Sequence, residues 1–150
     1  MLDTVIKLNF KVDINELQHY YDKLNTDYQH LDWSWKKCGN DIIKQWRDAA
    51  YQKKIPFGYR WSVSVQPSGG KVSVHTDADD EYTVWLPIHT SGPAITFDKE
   101  YELNADGSAY LLNTTQPHHT FNSSNEDRVT IIFRLKQDKL NDLLSLQGTI

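Results

Sequence analysis

The spacing of apolar side chains along the chain changes period twice, and each change marks a change of secondary structure. After a short extended opening that carries Val5, Leu8 and Phe10, the stretch from Val12 to Tyr28 places Ile14, Leu17, Tyr20, Tyr21 and Leu24 at helical spacing. Asp13 stands where an N-cap belongs, with Glu16 three positions later. A second helix is predicted from about Asp41 to Tyr51, with Ile42, Ile43, Trp46 and Ala50 as its stripe and Pro56 forbidding continuation. From Tyr59 the period is two. Trp61, Val63 and Val65 alternate with Ser62 and Ser64, Ser68-Gly69-Gly70 turns the chain, and alternation resumes from Lys71 to Asp77, which predicts a hairpin. Further extended runs follow at Tyr82 to Thr90, Ala94 to Phe97, Tyr101 to Leu103, Ser108 to Asn113, His118 to Asn122 and Arg128 to Leu135. Lys136 to Gln147 returns to helical spacing through Leu140, Leu143, Leu144 and Leu146.

Short strands in series with helices at both ends predict a mainly β protein with flanking helices (α+β), built as a double-stranded β-helix, a cupin-like jelly roll. One domain covers 1–150: a helical N-terminal region at about 12–55, a jelly-roll core at about 59–135 and a C-terminal helix at about 136–147. The strand faces divide in the same sense. On Lys71 to Asp77 one face holds Val72 and Val74, the other Ser73, His75 and Asp77; on Arg128 to Leu135 one face holds Val129, Ile131, Phe133 and Leu135, the other begins with Arg128 and Thr130. Polar groups on an inner face need a wet cavity or a ligand.

Bulk properties narrow the function. The 150 residues suffice for a core without disulfide staples, burying roughly 70% of the unfolded surface. A net charge of −4 with sixteen unclustered Lys and Arg argues against general nucleic-acid binding. No run approaches a membrane span, the opening residues do not read as a secretory signal, and the single Cys38 has no disulfide partner, so a cytoplasmic protein is expected. The pattern sets no oligomeric state.

His75-Thr76-Asp77 puts an imidazole and a carboxylate on one strand face, about 6.6 Å apart along the chain. His118 supplies a third candidate ligand. Two imidazoles and one carboxylate that leave positions open suit a non-haem Fe(II) oxygenase. A His-x-Asp pair alone also caps turns. Arg128 follows His118 by ten positions (128 − 118) and offers a guanidinium fork for a carboxylate; an antiparallel pairing of the two strands would bring it near the metal. Thr130 shares its face. Taken alone, Arg128 would more commonly pair with Glu126 or Asp127 at the surface.

His75-Thr76-Asp77, together with the stretch from Pro117 to Val129, resembles the 2-oxoglutarate/Fe(II) oxygenases of the aspartyl/asparaginyl β-hydroxylase type, a family that includes bacterial proline hydroxylases. The resemblance spans about Tyr59 to Leu135 and rests most on a His followed by Asn122 at four and Arg128 at ten residues, similar to the family's distal-histidine hairpin. It implies His75, Asp77 and His118 as Fe(II) ligands and Arg128, with Thr130, as the 2-oxoglutarate anchor. It also implies O2-dependent hydroxylation of an amino-acid, peptidyl or other small substrate. The alternative is a cupin-type metal-binding protein without 2-oxoglutarate chemistry. His119, adjacent to His118, is expected to face outward with Phe121, and Trp85 is expected on the cavity wall as a candidate substrate contact. His89, His19 and His30 are read as structural or surface residues. The acidic run of Asp77, Asp79, Asp80 and Glu81 is read as a solvated loop or as a feature favouring an amine-bearing substrate.

Overall fold

The period-two segments become strands distributed over two facing sheets. The structure, a computed structural model, describes residues 4–13, 15–16, 36–38, 54–77 and 81–150. The strands are β1 (Val5–Lys11), β2 (Lys36–Cys38), β3 (Tyr59–Gln66), β4 (Lys71–His75), β5 (Glu81–His89), β6 (Gly92–Thr96), β7 (Glu100–Leu103), β8 (Ser108–Leu112), β9 (His118–Phe121), β10 (Arg128–Lys136) and β11 (Gly148–Thr149). One sheet has the order β11-β1-β8-β5-β10-β3-β2 and the other β4-β9-β6-β7, so the jelly-roll architecture is present.

Side-chain alternation assigns each face of the larger sheet. Leu8 and Phe10 of β1, Val84, Leu86 and Ile88 of β5, and Val129, Ile131, Phe133 and Leu135 of β10 belong to one buried cluster on the outer face, closed by Ile55 and Leu143. Burying each such side chain stabilises the fold by roughly 1.5–3 kcal/mol. Trp61 stacks on Phe133 with ring centroids 4.2 Å apart and donates its indole N–H to Gly58 O at 3.1 Å. A Cβ on Gly58 would lie 2.8 Å from the Phe133 ring, so only glycine fits beneath that stack. A smaller cluster of Trp85, Ala94, Ile95, Leu103, Tyr110, Leu112 and Ile132 fills the space between the sheets.

The expected hairpin of β3 and β4 is not formed: β3 pairs with β10 and β2, while β4 pairs with β9 in the other sheet. Ser68-Gly69-Gly70 turns the chain, but as a corner between sheets. Asn122, fully buried, holds that corner. Its backbone O accepts from Gly69 N at 2.8 Å and its N donates to Gly70 O at 3.0 Å, while its side-chain Nδ2 reaches Gln66 O at 2.8 Å and Glu126 O at 2.7 Å. The same residue starts the second crossover, from β9 to β10. His118 and Arg128 therefore lie in opposite sheets and not on antiparallel neighbours, which corrects that expectation.

The C-terminal helix is shorter than its apolar spacing predicts. Strand β10 runs to Lys136, a single 3-10 turn covers Gln137–Lys139, and α1 spans only Leu140–Leu144. The tail then pairs in parallel with β1, Phe10 opposite Gly148. At the other end Asp13 caps as expected, its Oδ1 accepting from Asn15 N at 2.8 Å and Glu16 N at 3.3 Å. The remainder of the two N-terminal helices lies outside the described residues. Among the described residues no helix is long and apolar enough to cross a membrane.

Candidate metal centre

Strand pairing assembles the cluster. His75 ends β4 and His118 begins β9, and the antiparallel register makes them direct partners. Their rings lie 4.3 Å apart. Asp77 follows two residues beyond His75 and is fixed by its backbone N–H, which donates to Thr114 O at 2.8 Å. One ligand atom from each of His75, Asp77 and His118 falls within 4.8 Å of the others.

Both imidazoles are set in the same tautomer. Nδ1 of His75 lies 2.7 Å from Ser73 O and Nδ1 of His118 lies 2.8 Å from Gln116 O. A carbonyl only accepts, so each Nδ1 carries the hydrogen and each Nε2 presents a lone pair, the arrangement that orients metal-binding histidines. Those Nε2 atoms flank the carboxylate: His75 Nε2 is 3.5 Å from Asp77 Oδ1 and His118 Nε2 is 4.0 Å from Asp77 Oδ2. Adjacent ligands with bonds of roughly 2.1 Å stand about 3 Å apart on one face of an ion. The three ligand atoms, within 4.8 Å of one another, would have to draw together to share one ion. Burial pushes the pKa of His118 below the ordinary histidine value, which favours the neutral, metal-competent ring.

Arg134, on the inner face of β10, completes the cluster from the opposite sheet. Its Nη1 donates to Asp77 Oδ2 at 3.0 Å and to Thr83 Oγ1 at 3.0 Å, and Thr83 Oγ1 is 2.8 Å from Thr114 Oγ1. Sequence reasoning offers Arg134 only as a substitute anchor should Arg128 fail, although its even offset from Arg128, on a strand whose odd positions are all apolar, puts it on the polar face.

These residues line a cavity of about 210 Å³ between the sheets. Trp85 is on its wall, as expected, with Ile132, Ser64 and Thr120 also lining it. Arg128 and Thr130 share the inner face of β10 but do not line the cavity. They sit deeper in the sheet, opposite Gln66 and Ser64 of β3. Arg128 is 4% exposed and its Nη1 reaches Phe121 O at 3.3 Å, yet its Nε has no hydrogen-bond partner, nor has the buried Oγ of Ser64. The surface pairing of Arg128 with Glu126 or Asp127 is not what the structure shows among the described residues. Burial lowers the Arg128 pKa.

The other singled-out residues fall elsewhere. His119 is half-buried and points away from the cluster, on the side of β9 where Phe121 is exposed and Lys71 Nζ stands 5.4 Å from its ring. His89 Nε2 is 3.8 Å from Glu126 Oε2. Of the acidic run, Asp77 is taken by Arg134, while Glu81 is buried and bound by Lys136 Nζ at 3.1 Å. His19, His30, Asp79 and Asp80 lie outside the described residues. Arg60 also reaches the cavity, from a left-handed backbone with φ of 52°. For a side chain other than glycine that conformation costs on the order of 1–2 kcal/mol.

Fold and cluster together define a jelly roll of the cupin-like class with a two-histidine, one-carboxylate group at an inner cavity. The chain belongs to the aspartyl/asparaginyl β-hydroxylase family, whose profile matches residues 47–138. Among solved structures, a non-heme alpha-ketoglutarate-dependent epimerase, SnoN, from nogalamycin biosynthesis is similar over 88% of this chain and 76% of its own, with TM-score 0.66 and 13% identity. A prolyl-4-hydroxylase from Pseudomonas putida is similar over 89% of this chain and 93% of its own, with TM-score 0.59 and 12% identity. The non-heme monooxygenase ThoJ covers 88% of this chain and 73% of its own, with TM-score 0.62 and 11% identity. At such identities the shared feature is the fold. No curated protein matches the sequence.

Proposed function

We propose that the protein is a single-domain, cytoplasmic Fe(II) oxygenase that couples oxidative decarboxylation of 2-oxoglutarate to hydroxylation of a small-molecule or peptidyl substrate. The observation that carries this reading is the pair of tautomer-locked Nε2 atoms flanking Asp77, with one ligand atom from each residue inside 4.8 Å. Family membership supports it.

Iron held there would supply O2 activation, with 2-oxoglutarate oxidised to succinate and CO2 and one oxygen atom delivered to the substrate. The chain's own residues do the rest. His75 and His118 would bind through Nε2 and Asp77 through one carboxylate oxygen, Oδ1 being the one that Arg134 leaves free. The unpartnered Nε of Arg128 and Oγ of Ser64 are buried donors suited to a carboxylate, and Thr130, opposite Ser64, can add a third. Trp85 and Ile132 wall the cavity against bulk water. A second reading, a cupin-type metal protein without 2-oxoglutarate chemistry, is favoured by the position of Arg128 and Thr130 off the cavity lining.

Anaerobic addition of Fe(II) and then 2-oxoglutarate separates the two. A visible charge-transfer band on adding 2-oxoglutarate is expected from the oxygenase. Metal binding without a band would leave the cupin reading standing.

A further inference from the structure

We propose that Arg60 and Arg134 form a cationic mouth on the cavity, and that the substrate it admits is a small molecule bearing a carboxylate; this rests on the hydroxylase reading above. Both residues line the cavity, one from β3 and one from β10. On β10 the register passes from Ile132 to Arg134 in two steps, while on β3 it passes from Ser62 to Tyr59 in three. The extra residue is accommodated as a bulge in β3, and Arg60, with φ of 52°, lies within it. Bulges beside functional sites re-aim a side chain, and a non-glycine residue held in the left-handed region asks what holds it there.

Local pairing does not answer that. Arg60 Nη1 is 3.9 Å from Glu81 Oε1, its side chain is 71% exposed, and that same oxygen is already held by Lys136 Nζ at 3.1 Å. Such an exposed, shared ion pair contributes little. Arg134 is anchored on Asp77 and Thr83, so Arg60 carries the fork available to an incoming group. Asp77 keeps Arg134 through Oδ2 even when Oδ1 serves a metal, so Arg60 is left to share Glu81 with Lys136 among the described residues of this rim. A guanidinium fork on a cavity of about 210 Å³ matches the planar carboxylate of a small molecule.

The test measures 2-oxoglutarate-dependent succinate release with the Fe(II)-loaded full chain against the twenty free L-amino acids and their C-terminal amides. The expected result is acceleration by at least one acid and tenfold weaker acceleration by its amide. Arg60→Gly, which relaxes the left-handed backbone while removing the guanidinium, should raise the KM for that acid tenfold or more. Its thermal midpoint should equal or exceed that of the parent, and Arg60→Lys should fall between the two in KM. Equal acceleration by acid and amide, an unchanged KM in Arg60→Gly, or no acceleration by any acid while the charge-transfer band forms would each overturn the proposal alone. Absence of the band would overturn the hydroxylase reading with it.

Discussion

The two faces of the larger sheet, built from the same strands, answer to opposite demands. On the outer face of β10, Val129, Ile131, Phe133 and Leu135 are each at most 1% exposed and need only one another. On the inner face, Arg128 and Thr130 are nearly as buried, at 4% and 2%, but carry hydrogen-bonding capacity that the apolar face lacks. The outer face is a packing surface whose stabilisation scales with area. The inner face keeps a buried cation for which no anion is present among the described residues, and that costs stability unless a ligand answers it. Strand alternation alone separates the two tasks, so a single sheet carries both core and site.

Substitutions on the two faces should therefore fail differently. The largest effect is expected from His118→Ala, across the cavity: loss of a ligand should reduce metal affinity by more than the roughly 10–100-fold typical of outer-sphere partners. Titration of the apo protein with Fe(II) or Co(II) reads this directly, and near-parental affinity would remove His118 from the cluster. Next, Phe133→Ala on the outer face should destabilise by about 3–5 kcal/mol in urea unfolding, through the cavity left beneath Trp61. Arg128→Ala should weaken 2-oxoglutarate binding by on the order of 2–5 kcal/mol in calorimetry, by analogy with buried charge pairs, without a matching loss of stability in the ligand-free protein. Unchanged affinity would pass the anchoring role to Arg134. His119→Ala, pointing away from the cluster, should leave metal affinity near that of the parent; metal lost there and kept in His118→Ala would shift the register by one residue.

The strands β3 to β10 were legible to within one or two residues, because period-two alternation broken by Gly, Pro and Asn reports a pleated chain with two unlike faces; β2, three residues long, was not foreseen. Partners were not. Parity says which face a residue occupies and nothing about which strand lies beside it. The Ser68-Gly69-Gly70 turn thus looked like a hairpin although Asn122 draws it into a corner between sheets. The same limit hid the separation of His118 and Arg128 into opposite sheets. Within the candidate site, His75, Asp77 and His118 could be proposed together from residue type, parity and the resemblance of the Pro117–Val129 stretch to the family's distal-histidine hairpin, and the structure does gather them. Arg134 and Ser64 carried the right parity but no motif. The pairing of Gly148-Thr149 with β1 had no signal, since two small residues make no pattern. Strand β10 runs one residue past the expected Leu135, to Lys136, whose ladder partner Glu81 also binds its ammonium, and the helix is further shortened by the 3-10 turn before it and the strand β11 after it.

Asn122 gives the site a fixed length. Its side chain grips both Gln66 O, at the end of β3, and Glu126 O, two residues before Arg128, while its backbone holds Gly69 and Gly70. The strand bearing His118 and the strand bearing Arg128 are thereby clamped at one point. The interval between them works as a ruler: residues inserted there would pull Asn122 off its anchors before they lengthened a loop.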